Sequence, residues 1–240
     1  MPTINPSSVH QHDRTLVGFP FAAARNSTVG SSSNKISSGN LIANSTAIMI
    51  IKDPGRGGGT FRVRRYFLGF NTSGITSTVS SAAIKFTTAN NKDLPKVAVV
   101  KTTSDGSSTS DFADIDGFDT TADTTMAGNV TDYSSQPAAD FTSAGLGTTF
   151  TLTLNSTALS DIQSLSTFFV GLISYDFDYL NVEPSNTSQF FYDVGHPTNG
   201  IVLDYEVVSG FSHGVIGVAS ANIGTVKGVA TANIAKVIGV

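Results

Sequence analysis

From about residue 46 onward the chain alternates short apolar or alternating runs with clusters of Gly, Pro, Asn and Asp, the pattern of β-strands separated by turns. The run AIMIIK at 47–52 stops at Asp53-Pro54-Gly55. In TFRVRRYFLGF at 60–70, strand geometry places Phe61, Val63, Arg65, Phe67 and Gly69 on one face and Arg62, Arg64, Tyr66, Leu68 and Phe70 on the other. Three arginines in the first half predict half-exposure there and burial only in the second half. Further strands are expected at 78–88, 96–103, 147–154, 167–177, 189–194 and 200–208. One stretch reads as helix: in NSTALSDIQSL at 155–165, Leu159, Ile162 and Leu165 share a face, and Asn155 or Ser156 can cap the start. Short strands with a single helical interlude predict an all-β chain, a jelly roll or β-sandwich.

The flanks break this pattern. Residues 1–45 are rich in Ser, Asn and Gly around the apolar patch Leu16, Val17, Phe19 and Phe21. They predict an extended N-terminal arm, lying on its own domain or on a neighbouring subunit. Residues 104–145, rich in Ser, Thr, Asp and Gly, read as the least ordered part of the body. The expected organisation is an arm at 1–45, a sandwich at 46–210 and a repeat tail at 211–240.

The tail contains GVASANIGTVKGVATANIAKVIGV at 217–240, a sequence of period eleven marked by Gly217, Gly228 and Gly239. Val218, Ala219, Ala221, Asn222, Ile223 and Val226 recur as Val229, Ala230, Ala232, Asn233, Ile234 and Val237. Such a period suits a right-handed helical supercoil, but repeated Gly and β-branched residues disfavour helix. As one continuous strand, an odd period would invert the faces at each copy. A turn or bulge at Gly or at Ala-Asn must therefore reset the phase. About two copies cannot bury their own apolar stripe, so other chains should complete the tail, by three tails winding together or by β-addition. The assembly positions are Val218, Ile223, Val226, Val229, Ile234 and Val237, with a trimer the expected homo-oligomer; an unordered tail is the alternative.

Composition narrows the class. The chain has 240 residues, 40% of them hydrophobic but only 13% charged, about half the usual charged share. Hydroxyls and amides carry its solubility, a balance commoner in extracellular, virion and adhesive β proteins. A net charge of -4 gives no electrostatic basis for nucleic-acid binding. The absence of cysteine excludes disulfides and thiolate chemistry. No secretion signal opens the sequence, and no apolar run approaches the roughly 20 residues that cross a bilayer. Synthesis in a cytoplasm followed by release within a particle is the expected route.

Candidate chemistry is sparse. His10, His12 and Asp13 could offer metal ligands. Asp111, Asp114, Asp116 and Asp119 could hold Ca2+, but their spacing misses the EF-hand pattern, and a solvated acidic loop is the alternative. Asp176 and Asp178, with Glu183, could serve as paired carboxylates of a glycosidase or as turn caps. With no Trp in the chain, a sugar platform would rest on tyrosines, Tyr175 and Tyr179 foremost. The loop GRGGGT at 55–60 opens a strand, so it lacks the helix dipole a phosphate needs, and no hydrolase or metalloprotease signature occurs. No cofactor is expected.

The stretch RRYFLGFNTSGITSTVSSAAIKFTT at 64–88, with LTLNSTALSDIQSLSTFFVGLISYDFDYLNVEP further on, resembles jelly-roll modules of the carbohydrate-binding or DNRLRE type across roughly 47–208. The tail is similar to short C-terminal repeats on structural proteins of marine and freshwater bacteriophages. Together these resemblances imply a non-enzymatic virion component, as capsid decoration, tail or fibre, with other virion proteins as partners. A glycan-binding or adhesive module recognising a host surface is the alternative they imply.

Overall fold

The computed structural model describes residues 2–35, 46–53, 59–92, 96–140, 149–185, 188–194, 201–208, 225–226 and 229–230. Their strands are β1 (Thr3–Ile4), β2 (Pro6–Val17), β3 (Ser32–Lys35), β4 (Thr46–Asp53), β5 (Thr60–Asn71), β6 (Val79–Lys92), β7 (Lys96–Lys101), β8 (Ala139–Asp140), β9 (Thr149–Thr153), β10 (Thr167–Ser174), β11 (Ser188–Val194), β12 (Val202–Val207), β13 (Thr225–Val226) and β14 (Val229–Ala230). Helix α1 (Phe21–Arg25) follows β2, and α2 (Ser156–Ser164) follows β9. The protein is all-β with few helices, and its strand pairings are antiparallel.

Twelve strands form one connected network. β2 runs along β5 from Val17↔Thr60 to Pro6↔Phe70. The opposite edge of β5 is shared by β4, from Asp53↔Thr60 to Met49↔Arg64, and β10, from Leu172↔Tyr66 to Thr167↔Asn71. β7 lies outside β10, and β8 outside β7. A second group centres on β6, flanked by β9 on one edge and by β12 and β11 on the other; β11 links back to β4, and β1 adds to β12.

The two groups close on one core. Tyr66, Leu68 and Phe70 of β5, Val97 and Val99 of β7, and Phe168, Val170 and Leu172 of β10 pack with Ala82, Ile84 and Phe86 of β6, Leu152 of β9 and Leu203 of β12. Each large apolar side chain fully buried here contributes about 1.5–3 kcal/mol. The helix lies where the 155–165 pattern put it: the Asn155 side chain accepts from the Ala158 N–H, and Ala158 and Ile162 enter the core.

Four expectations change. Residues 2–35 are not a separate arm, because β2 pairs along nearly the whole of β5 and α1 buries Phe21 and Ala24 beside Phe61 and Val63. Residues 104–140 form an ordered outer layer: Phe112 packs on Phe61 and Val63, while Ile115 and Met126 pack on Ala98, Val100 and Ile173. Their apolar residues are isolated in sequence and meet only on the strands beneath. This layer buries the face of β5 that carries Arg65, which is 0% exposed; on the opposite face Arg64 is 8% exposed beside Asp13, and Arg62 alone of the three stays partly exposed. Finally, β10 ends at Ser174, and Tyr175–Tyr179 coils into a wide turn in which the Leu180 N–H donates to the Tyr175 carbonyl at 3.0 Å.

The tail residues in the structure are few. Thr225 pairs with Ala230 and Val226 with Val229, antiparallel, in a sheet separate from the twelve-stranded network. Val218, Ile223, Ile234 and Val237 lie outside the described residues.

Candidate functional site

The most concentrated polar chemistry sits in the outer layer. Arg65 interrupts the face Phe61, Val63, Phe67 of β5, where an apolar side chain would be ordinary, so its charge has to be met inside the protein. The wide turn after β10 supplies Asp178, and all three side chains of Arg25, Arg65 and Asp178 are fully buried. Arg65 makes a bidentate pair, donating from Nε to Asp178 Oδ2 at 2.8 Å and from Nη2 to Oδ1 at 2.9 Å. It also donates to the carbonyls of Phe112 and Arg25, each at 2.8 Å. Arg25 donates from Nε to the Asp178 carbonyl and from Nη1 to Asn26 Oδ1, each at 2.7 Å.

Aromatic rings close this cluster. The Arg65 guanidinium lies 4.4 Å from the Phe112 ring centroid and 4.8 Å from that of Phe118, and Arg25 lies 5.2 Å from Phe118. Guanidinium planes stack on such faces, where desolvation strengthens the attraction. Burial holds the Arg25 guanidinium below its ordinary pKa, with Asp178 acting against that and Arg65 adding to it. An arginine nevertheless stays protonated, so two cations share one buried carboxylate. The cluster ties α1, β5, the Thr109–Ala113 turn and the Tyr175–Tyr179 turn together; its chemistry is that of a structural clamp.

A second node joins β2 to the same layer. His12 is fully buried, edge-on to Phe67 with centroids 5.0 Å apart, and its Nε2 contacts the Gly106 carbonyl. A carbonyl only accepts, so Nε2 carries the proton. The buried Nδ1 has no hydrogen-bond partner. Gly106 has φ +74°, and a Cβ there would lie 2.7 Å from Phe67 Cβ and 3.0 Å from His12 Nε2. Only glycine suits that backbone and that space.

Burial depresses the His12 pKa below 6.5; the Gly106 carbonyl, Asp111 and Asp13 oppose the shift, and Arg65 adds to it. A depressed folded pKa means that the unfolded chain binds the proton more readily, so stability rises with pH. The contribution is complete above about pH 6.5 and is lost as pH falls through the folded value. The thermal midpoint should therefore decline on acidification from pH 7 toward pH 5. His12→Gln, which keeps an N–H for Gly106, should flatten that part of the slope; an unchanged profile would show that His12 is not its source.

The residues predicted as sites are dispersed. Tyr179 is buried and stacks on Tyr175 with ring centroids 5.4 Å apart, and its hydroxyl donates to Asp132 at 2.9 Å. That bond, with burial, raises the Tyr179 pKa; Tyr175 alone of the two is partly open. Asp111 caps the 109–113 turn with Ser108, Asp116 accepts from the Thr131 hydroxyl at 2.6 Å, and Asp119 accepts from the N–H and hydroxyl of Thr121. The Asp114 carbonyl accepts from the Thr103 N–H. Among the described residues no three His, Asp or Glu side chains gather as metal ligands would.

Asp176, Asp178 and Glu183 separate as well: Asp176 lies 3.6 Å from Lys96, Asp178 takes Arg65, and Glu183 takes Lys52 at 2.7 Å. On a strand Asp176 and Asp178 would share a face; the wide turn sends them apart. His10 and His12 both face the outer layer, whereas Asp13 pairs with Arg64. Sequence reasoning missed Arg25, Phe112 and Phe118. The available signal was Arg65 itself, a cation within an apolar face that demanded a buried acid.

No protein-family model matches this chain, and no curated protein does. The reading of its function therefore rests on its own residues.

Proposed function

We propose that this chain is a non-enzymatic structural component of a phage particle, a jelly-roll body that assembles with other virion chains, copies of itself included, through its C-terminal repeat. The observation that carries the reading is the antiparallel pairing of Val226 with Val229 at a repeat boundary. It favours strand over helix at that boundary, and a two-stranded sheet is an element that accepts further strands at its edges. The body is consistent with this role, since its buried charges and its carboxylate clusters hold layers and turns together. The N-terminal segment belongs to the sheet, and the reading places assembly on the tail. An exterior-type composition without cysteine fits a protein released within a particle.

Light scattering after size exclusion tests the reading. The full chain is expected to run as an oligomer and a chain ending at Gly210 as a monomer with unchanged circular dichroism. A monomeric full chain would overturn it.

A further inference from the structure

His12 is closed over from three sides, and each side meets a different part of the ring. Phe67 meets it edge-on, and the Gly106 carbonyl takes Nε2. The third cover is the turn at 27–31. A Cβ on its buried Gly30 would stand 3.4 Å from His12 Nδ1 and 3.2 Å from the Asp13 carbonyl oxygen. This backbone therefore lies directly against the ring nitrogen that has no hydrogen-bond partner.

Few bonds hold that cover. Among the described residues, the Gly30 N–H donates to the Thr109 carbonyl at 2.8 Å, the Ser31 N–H donates to the Asp13 carbonyl at 2.6 Å, and Ser31 Oγ bonds to the backbone of Thr15. Ser27 Oγ bonds within the turn, to Val29, and Thr28 and Val29 are exposed. Segments so lightly tied open at less cost than the core beside them.

The closed site has no acceptor for a second proton. Nε2–H is committed to Gly106, so a further proton falls on Nδ1, which becomes a charged donor facing Gly30. The surrounding charges do not meet it. Arg65 of β5 is a cation, and the clamp to which it belongs already holds two guanidiniums and one carboxylate. On β2, Asp13 is engaged by Arg64, and His10 stands opposite Lys35 of β3. Asp105 faces His10, and Asp111 caps its own turn. Residues 27–31 carry no charge. Burial outweighs the pull of Asp111 and Asp13 and holds His12 neutral.

From this geometry we infer that the turn at 27–31 is an acid-opened cover: a proton on His12 Nδ1 displaces Gly30 and admits water to the ring while the sandwich stays closed. The Gly106 side holds, because a protonated ring still donates from Nε2. The device lies within the body and needs nothing from the tail, so its failure and that of the assembly reading are separate results.

Hydrogen exchange of the full chain, read at single amides by NMR and corrected for the intrinsic pH dependence of exchange, tests it. Gly30 and Ser31 are expected to lose about tenfold in protection per pH unit below about pH 6.5, the slope of an opening coupled to one proton, while Leu68 and Val170 in the core keep theirs. Imidazole nitrogen shifts of the same sample should show Nε2–H as the neutral tautomer and a titration of His12 that tracks the loss at Gly30. His12→Gln keeps a donor for Gly106 but cannot titrate, so its Gly30 and Ser31 protection is expected to stay constant between about pH 7 and about pH 5. Protection at Gly30 that survives protonation of His12, or that is lost only together with Leu68 and Val170, overturns the inference, as does the same loss in His12→Gln. Should that variant not fold, the unaltered chain decides alone, through the match or mismatch of its two titrations.

Discussion

Replacing Asp178 by Asn is expected to cost the fold about 3–5 kcal/mol, the usual effect of breaking a buried ion pair by removing one partner. The substitution keeps the shape of the side chain but leaves Arg25 and Arg65 with no anion between them, in a site where all three side chains are fully buried. For a chain of this size, roughly 2–4 °C in the thermal midpoint per kcal/mol makes the loss plain in a melting curve. The penalty comes from stranded charge more than from lost attraction, which a second variant can separate. Arg25→Leu/Arg65→Met/Asp178→Leu removes the charges together and is expected to recover much of the stability. Should Asp178→Asn melt within a degree of the parent, the clamp has no energetic role in holding the outer layer.

Phe112→Ala is the second large effect, at about 3–5 kcal/mol. The Phe112 ring is fully buried beside Phe61 and Val63, and it forms one face of the Arg65 sandwich at 4.4 Å. Its removal therefore opens a cavity and uncovers a buried guanidinium at once. The magnitude matters because Phe112 sits in the Ser- and Asp-rich stretch that looks loop-like in sequence. If that stretch only drapes over the sandwich, denaturant midpoints should hardly move; a shift of several kcal/mol makes it a third layer of the fold. Since Phe112 and Asp178 share Arg65, the two losses should not add.

The strands were legible because their signal is local. Alternation in 60–70, the apolar run at 96–100 and the capped pattern at 155–165 each lie within one element, and β5, β7 and α2 stand where those patterns put them. The outer layer was not legible, since Phe112, Ile115 and Met126 have no periodicity of their own and acquire a partner only when β5, β7 and β10 lie beneath them. The N-terminal segment failed for a related reason. PSSVHQHDRTLV lacks the apolar alternation of a half-exposed strand, because β2 is an inner strand with β3 on one side and β5 on the other, and it buries His10, Gln11 and His12 as well as Val9. The carboxylates were recognisable as a group but not by destination: the Tyr175–Tyr179 turn, which sends Asp178 inward, follows from i→i+5 bonding that no short motif announces.

The pairing of Thr3 with Asp204 and of Ile4 with Leu203 joins strands from opposite ends of the described body. β1 adds to β12, and Arg25 meets Asp178, in each case across most of the body. Neither the edge of the second sheet nor the clamp can close on a nascent chain before almost the whole body has emerged. Contacts this distant in sequence make folding slow and leave apolar strands open while it proceeds.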